Sequence, residues 1–310
     1  FTSGCFGKDP LAADYLRHHG GGAAVLGFER WLESAVALAA TQFGPRVGEL
    51  LRALPVTFFY FPVREAGMFL VGAMRAGQDR SGRLFPMSVF LAANRGASWT
   101  AATIPLAFAD FFERARRLLE ERQDSLDTLF ARVDELAALT SPADEGLSDV
   151  RALLSRYTWG EIDSPPQGFG GALLSAARTL RVVARRIGPG APPGYGLRYP
   201  LPPRGARAPA ACFWMALTAR WMPAAREALM LWPALPGAAT NHLDADFAGD
   251  DAHLFVHSLD GSFVSERLFA LHESTRREGE GQGSGGLARA LADADTTLVQ
   301  LLDAAATDEV

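Results

Sequence analysis

The sequence predicts a mixed α/β protein of the α+β kind: a central, largely antiparallel sheet flanked by helices, with a smaller C-terminal α/β region. Three observations predict it. Short runs of aromatic and branched residues recur with turn residues between them, as strands do. Longer segments repeat their apolar residues every three to four positions, as amphipathic helices do. The chain has 310 residues, 48% hydrophobic and 21% charged, which is enough to bury a core without disulfide or metal staples and too apolar for disorder.

Taken in order, Glu29 to Ala40 has Trp31, Leu32, Ala35, Val36 and Ala39 at helical spacing. Val56 to Phe61 and Met68 to Ala73 are strand candidates, with Glu65-Ala66-Gly67 as the turn between them. A third strand is expected over Leu84 to Ala92, after the polar loop Gln78 to Arg83. The strongest helical pattern follows. Ile104, Phe108, Phe111, Phe112, Ala115, Leu118 and Leu119 line one face, and Asp110, Glu113, Arg114, Arg116, Arg117 and Glu120 the other. It resumes at Leu126, Leu129, Phe130, Val133 and Leu136, either as one long helix or as two broken near Asp124-Ser125.

Residues 141–207 are looser, with Ser164 to Gly168 and the Gly/Pro-dense run from Gly188 to Pro209 unsuited to helix or strand interiors. Between them Leu173 to Ile187 is predicted helical. A second compact region spans 208–272, with strands expected at Ala211 to Ala219, Ala228 to Trp232 and Ala252 to Leu259. Residues 273–310 hold a charged, glycine-rich linker and a terminal helix over Leu287 to Leu302. The expected organisation is thus 1–140, 141–207, 208–272 and 273–310.

Composition narrows the function. The net charge of −5 does not suggest a chain coated in nucleic acid or anionic lipid. Two distant cysteines, Cys5 and Cys212, make neither a disulfide framework nor a four-ligand zinc site, so a reduced, cytoplasmic protein is expected. The first twenty residues lack a signal-like apolar stretch, and apolar runs end at about ten residues where a membrane span needs roughly twenty. No membrane insertion is therefore expected. The chain opens at Phe1 rather than Met, as expected of a sequence lacking part of its N-terminus. Of its 30 basic residues 29 are arginine, and the single lysine, Lys8, lies in the glycine-rich stretch Gly4-Cys5-Phe6-Gly7-Lys8.

That stretch is not a P-loop: Thr2 stands where the first glycine is required, and Asp9 where the magnesium-binding hydroxyl belongs. There is no G-x-S-x-G elbow and no H-E-x-x-H pair. His18 and His19 are adjacent, so on regular structure they diverge and make poor co-ligands. His253 and His257, on a strand, stand about 13 Å apart at ~3.3 Å per residue and are expected to face solvent. Asp244, Asp246, Asp250 and Asp251 lack the EF-hand glycine and glutamate and suit a solvated loop. No catalytic group, metal site or cofactor is expected. The Asp79-Arg80-Ser81-Gly82-Arg83-Leu84-Phe85-Pro86 stretch has two readings. In one, Asp79 caps a turn, Gly82 takes a positive φ and an arginine pairs with a carboxylate. In the other, Arg80 and Arg83 form a recognition surface for an acidic or phosphorylated partner.

Gly4-x-Phe6-Gly7-Lys8-x-Pro10, then Asp14-Tyr15-Leu16, then Phe28-x-x-Trp31-Leu32, then Asp79-Arg80-x-Gly82-Arg83-x-Phe85-Pro86, resembles the TagF (ImpM) family of type VI secretion-associated proteins. Order and approximate spacing fit over residues 4 to about 92, and the D-R-x-G-R-x-F-P block is the most specific part. Departures are Ala13 for a glycine, Tyr15 for phenylalanine, Phe28 for tryptophan, and Ala76-Gly77 before the block. Residues 141–207 match nothing in the family pattern and are taken as an insertion.

The resemblance implies a longin- or profilin-like N-terminal fold and a bacterial, cytoplasmic, non-enzymatic regulator that represses type VI secretion after translation. It implies action through a forkhead-associated scaffold protein, alongside a kinase and phosphatase pathway. Lys8, Asp79, Arg80 and Arg83 are its partner-binding candidates. Gly4, Phe6, Gly7, Pro10, Asp14, Trp31, Gly82, Phe85 and Pro86 are its structural motif. Two alternatives are a small-molecule enzyme and a longin-like adaptor for a small GTPase.

Overall fold

Strands that are apolar on both faces need helices on both sides, and the computed structural model of the chain has them. The structure describes residues 1–63, 66–94, 99–139, 149–163, 168–203, 206–235, 241–248, 251–263, 265–271 and 285–308. Strands β1 (Thr2–Gly7) and β2 (Leu16–His18) precede helices α1 (Ala23–Phe43) and α2 (Val47–Arg52). Next come β3 (Thr57–Val63), β4 (Met68–Arg75), β5 (Met87–Asn94), α3 (Ile104–Ala107), α4 (Ala109–Glu120) and α5 (Leu126–Leu139). Helices α6 (Val150–Leu154), α7 (Trp159–Ile162) and α8 (Phe169–Ile187) lead to β6 (Gly196–Pro200) and α9 (Arg207–Trp221). The chain continues through β7 (Leu229–Pro233), β8 (His242–Asp246), α10 (His253–Leu259), β9 (Leu268–Ala270), α11 (Gly286–Ala290) and α12 (Leu298–Thr307).

The described strands form one sheet in the order β2-β1-β5-β4-β3-β7-β8-β6-β9. Every pairing is antiparallel except that of β6 with β9. The sheet runs without interruption from the first compact region into the second, because Thr57 to Tyr60 of β3 pair directly with Met230 to Pro233 of β7.

Period-two alternation decides which core each side chain joins. From β3, Phe58 and Tyr60 enter the core shared with α3, α4, α5, α8, α9 and α12. Phe59 and Phe61 enter the opposite core, with α1 and α10. Neighbouring strands follow suit, Val71 and Val89 on the first face and Leu70 and Phe90 on the second. Among the described residues no helix is long and apolar enough to cross a membrane.

Most N-terminal elements lie where the sequence places them. The amphipathic stretch is two helices: α4 stops at Glu120, and α5 restarts where Ser125 Oγ accepts the Thr128 N–H at 3.1 Å. Five expectations need correction. Ala211 to Ala219 is helix, inside α9, whose neighbours α3, α6, α7, α8 and α12 bury it all round and leave no polar face to mark a helical period. Ala252 to Leu259 is helical too, as α10, and its apparent alternation comes from a segment of only seven residues. Gly196 to Pro200, in the Gly/Pro-dense run, is a buried strand because β8 and β9 supply the pairing that propensity does not. The expected terminal helix divides into α11 and α12, because Thr297 and Gln300 form a capping box that starts a new helix. Asp244 and Asp246 lie buried in β8 rather than on a solvated loop, while Asp250 falls outside the described residues, as does part of the Glu65 to Gly67 turn.

Gly72 shows how tightly the α1 face is packed. A Cβ there would lie 2.2 Å from the Phe59 ring and 2.5 Å from the Val89 carbonyl oxygen. Phe59 cannot retreat, because its other side stacks on Phe28 of α1 at 4.3 Å between centroids. Gly72→Ala should therefore destabilise the fold by about 1–3 kcal/mol through overpacking, seen as a lower urea midpoint with an unchanged slope.

Candidate functional site

Asp79 opens the loop between β4 and β5, and its carboxylate is sealed from solvent, at 0% side-chain exposure. A buried carboxylate needs donors, and five converge on it. Lys8 Nζ reaches Oδ2 at 2.6 Å from just beyond β1, and Arg83 Nε reaches the same oxygen at 2.8 Å. Oδ1 accepts the Ser81 hydroxyl at 2.7 Å and the backbone N–H groups of Ser81 and Arg83 at 3.0 Å each. Burial alone would raise the Asp79 pKa, but the bonds from Lys8, Ser81 and Arg83 outweigh it and hold the carboxyl well below the usual range.

The loop closes as the turn reading requires. Gly82 N–H donates to the Asp79 carbonyl at 3.0 Å, and Gly82 adopts φ +88°, where glycine is favoured. Arg83 also spans to the neighbouring loop, its Nη2 bonding Asp14 Oδ1 at 2.8 Å and the Ala13 carbonyl at 3.2 Å. The Tyr15 backbone N–H, and then the Arg83 charge, hold the Asp14 carboxyl below its ordinary pKa.

The remaining motif residues build the bed for this cluster. Gly7 takes φ +127° and lies so close to Pro86 that a Cβ would sit 2.2 Å from its carbonyl oxygen. At Gly4 a Cβ would lie 2.4 Å from the Phe90 ring and 2.6 Å from the His18 carbonyl oxygen, so β1 needs a glycine there to sit between β5 and β2. Phe6 packs on Phe28 at 5.8 Å, Phe28 stacks on Trp31 at 5.6 Å, and Tyr15 meets Phe85 edge-on at 5.6 Å.

The partner-binding candidates separate in space. Lys8 is nearly buried and Asp79 wholly so, each turned onto the other. Arg83 keeps a half-exposed guanidinium tied to two carboxylates. Arg80 is exposed, its backbone N–H fixed to the Ala12 carbonyl at 3.1 Å, and its side chain finds no charged partner among the described residues.

The sequence reading missed the neighbouring pair. Arg75 Nη2, at the end of β4, bonds Asp9 Oδ2 at 2.9 Å, and both line a cleft of about 690 Å³. The far wall of that cleft is the α4–α5 junction, including Glu120, Arg122 and Asp124. Asp9 follows Lys8 directly, but nothing local signals that its partner lies 66 residues on.

A second buried charge cluster sits under β6 and β8. Arg198 grips Asp244 with two bonds, Nε to Oδ1 at 2.7 Å and Nη2 to Oδ2 at 2.8 Å. The histidines expected to face solvent do not. His257 is 2% exposed, with Nε2 at 2.8 Å from Ser265 Oγ, and His253 Nδ1 lies 2.7 Å from Asp251. Burial pushes the His257 pKa down to about 4. His18 and His19 also depart from expectation: both Nε2 atoms meet Asp134 Oδ1, at 2.8 and 3.0 Å, because His19 takes a left-handed φ of +53°.

Residues 4–139 match the family model described as the TagF N-terminal domain, type VI secretion system-associated. The match spans the whole motif series and the elements from β1 to α5. No curated protein matches the chain. The fold is similar to the crystal structure of PA0076 from Pseudomonas aeruginosa PAO1, with a TM-score of 0.50, 17% identity, and coverage of 86% of this chain and 98% of that one. At that identity the likeness concerns the fold alone.

Two pH dependences follow from the buried groups. The depressed Asp79 carboxyl contributes stability that is fully present above its ordinary pKa of 3.8 and is lost as the pH falls through the lower folded value. Asp79→Asn should lower the melting temperature at neutral pH and flatten its fall in acid, as followed by circular dichroism. For His257 the unfolded chain takes up a proton below 6.5 while the folded one resists until about 4. Stability should therefore decline from pH 6.5 to 4. In His257→Gln that part of the slope should disappear, measurable by urea unfolding at several pH values.

Proposed function

The chain carries a TagF N-terminal domain, which associates it with type VI secretion, and from that premise we propose that it is a non-enzymatic regulator of that machine. On this reading it works in the cytoplasm as a post-translational repressor, by binding another protein. A forkhead-associated scaffold component within the kinase and phosphatase pathway is the proposed partner. The carrying observation is the family match over residues 4–139, coincident with the motif series.

The geometry supports a division of labour inside the motif. Lys8, Asp79 and Arg83 bind one another, so the motif's invested charge holds the loop in shape. Arg80, exposed on that rigid loop with its backbone pinned to Ala12, is the residue we assign to the partner. With its backbone held, Arg80 offers a planar guanidinium that can pair with a carboxylate or phosphate through two parallel hydrogen bonds.

A second reading, a small-molecule enzyme, draws on the cleft between the Asp9 loop and the α4–α5 junction. Its volume of about 690 Å³ suits a small ligand, which pockets of roughly 300–1,000 Å³ hold, and titratable groups line it. A metabolite that stabilises the protein thermally, with the effect lost in Asp9→Asn, would favour this reading over the first.

Deleting the gene in its host should raise type VI secretion, and complementation with Arg80→Glu should restore repression poorly. Purified scaffold protein should bind Arg80→Glu roughly tenfold more weakly than the native chain, about 1.4 kcal/mol. Secretion left unchanged by the deletion, under both resting and activating conditions, would overturn the proposal.

A further inference from the structure

His18 ends the edge strand β2, and its carbonyl side is held close to Gly4 of β1. His19 then turns back through φ +53°, and among the described residues it is the one non-glycine with a positive φ. That conformation is uncommon for a side-chain-bearing residue, although histidine tolerates it better than most. Its consequence is specific: two adjacent side chains that an extended chain would send to opposite faces lie together, ring centroids 4.0 Å apart. Both then address one carboxylate oxygen, Asp134 Oδ1 of α5.

The neighbourhood holds this arrangement from the other side. Phe130 and Asp134 stand one turn apart on α5, on the same helical face. The Phe130 ring lies flat on the His18 imidazole, 4.3 Å between centroids and 6° between planes, which fixes the ring that presents Nε2. Ser3 of β1 donates its hydroxyl to the Asp134 backbone carbonyl at 3.5 Å, tying the helix to the sheet at that level.

We propose that His18, His19 and Asp134 are a binding site for a divalent transition-metal ion of the zinc type. The two imidazole nitrogens and the carboxylate oxygen all lie within 4.8 Å of one another. Metal–nitrogen and metal–oxygen bonds of about 2.0–2.2 Å place tetrahedral ligands about 3.4 Å apart, so the two N···O contacts need open by only a few tenths of an ångström. Two imidazoles with one carboxylate suit zinc and its neighbours, and they disfavour calcium and magnesium, which take oxygen ligands. With the His18, His19 and Asp134 side chains 19%, 48% and 50% exposed, an ion can enter and keep a fourth position for water. Bound there, it would clamp the β2 edge to α5. On the sequence alone the adjacent His18 and His19 are poor co-ligands, and nothing there points to a carboxylate more than a hundred residues away.

The test is titration of the metal-free chain with zinc chloride by calorimetry, and with cobalt chloride by visible absorption. The native chain should take up one equivalent, with the cobalt form showing tetrahedral d–d bands, and zinc should raise the melting temperature. Asp134→Asn keeps the shape of the acceptor, and His19→Asn keeps a residue that tolerates the left-handed φ. Each should retain the native circular dichroism spectrum and bind zinc at least about tenfold more weakly, since even the loss of a partner hydrogen-bonded to a ligand costs that much. No stoichiometric uptake by the native chain would overturn the assignment, as would folded variants that bind zinc as tightly as it does.

Discussion

A carboxylate removed from water holds its place only while its donors do, and at Asp79 those donors come from two stretches of chain some seventy residues apart. Lys8 arrives from the end of β1, while Ser81 and Arg83 belong to the loop that Asp79 itself begins. The loop would lose its charge compensation if β1 left the sheet, and β1 would leave an ammonium nearly buried and unpaired if the loop opened. Arg83 extends the dependence to the Ala13-Asp14 turn, which leads into β2 and so toward α1. The surface around Arg80 is therefore presented by a backbone fixed at several points, and Gly7, Gly77 and Pro86 are placed by the same close approach. A Cβ at Gly77 would lie 2.3 Å from the Phe85 carbonyl oxygen and 2.4 Å from that of Lys8.

The continuous sheet makes the C-terminal part a partner of this arrangement. Because β7 adds to β3, Trp232 packs against Phe58 and Phe112 in the same core as the amphipathic helix α4. Arg198 and Asp244 repeat toward the other end of the sheet what Lys8 and Asp79 do at the first, a charge pair largely closed off from solvent. In both places removing one partner would leave the other charge buried and uncompensated, which is costly.

How far each element was legible depended on whether its environment is one-sided. Helix α4 has a clear apolar face and a charged one because it packs on β4 with its outer side in water. Strands β3, β4 and β5 were legible from aromatic and branched runs alone. Helix α9 is enclosed by other helices, so its sequence has no polar stripe, and without one periodicity alone does not tell a buried helix from a buried strand. Strand β6 has weak local preference and exists because β8 and β9 flank it. Gly82 was legible as a turn glycine of positive φ, but the close approach at Gly4 and Gly7, and whether the charges beside them bind each other or a partner, were not.

By itself the sequence determined the mixed α/β class, the antiparallel N-terminal strands, the amphipathic stretch from Ile104 to Leu136, and the motif series that resembles the TagF N-terminal domain. These depend on composition and on spacings within a few residues of one another, which the linear order preserves. Tertiary structure alone decided that Lys8 and Asp79 are a buried pair and Arg80 is exposed. It also decided that Asp9 pairs with Arg75, that Asp244 is neutralised by Arg198, and that His18 and His19 converge on Asp134. The physical reason is common to all of these. A charged side chain takes the partner that the closing of the sheet brings within hydrogen-bond reach, and the separation of those partners along the chain carries no trace of it.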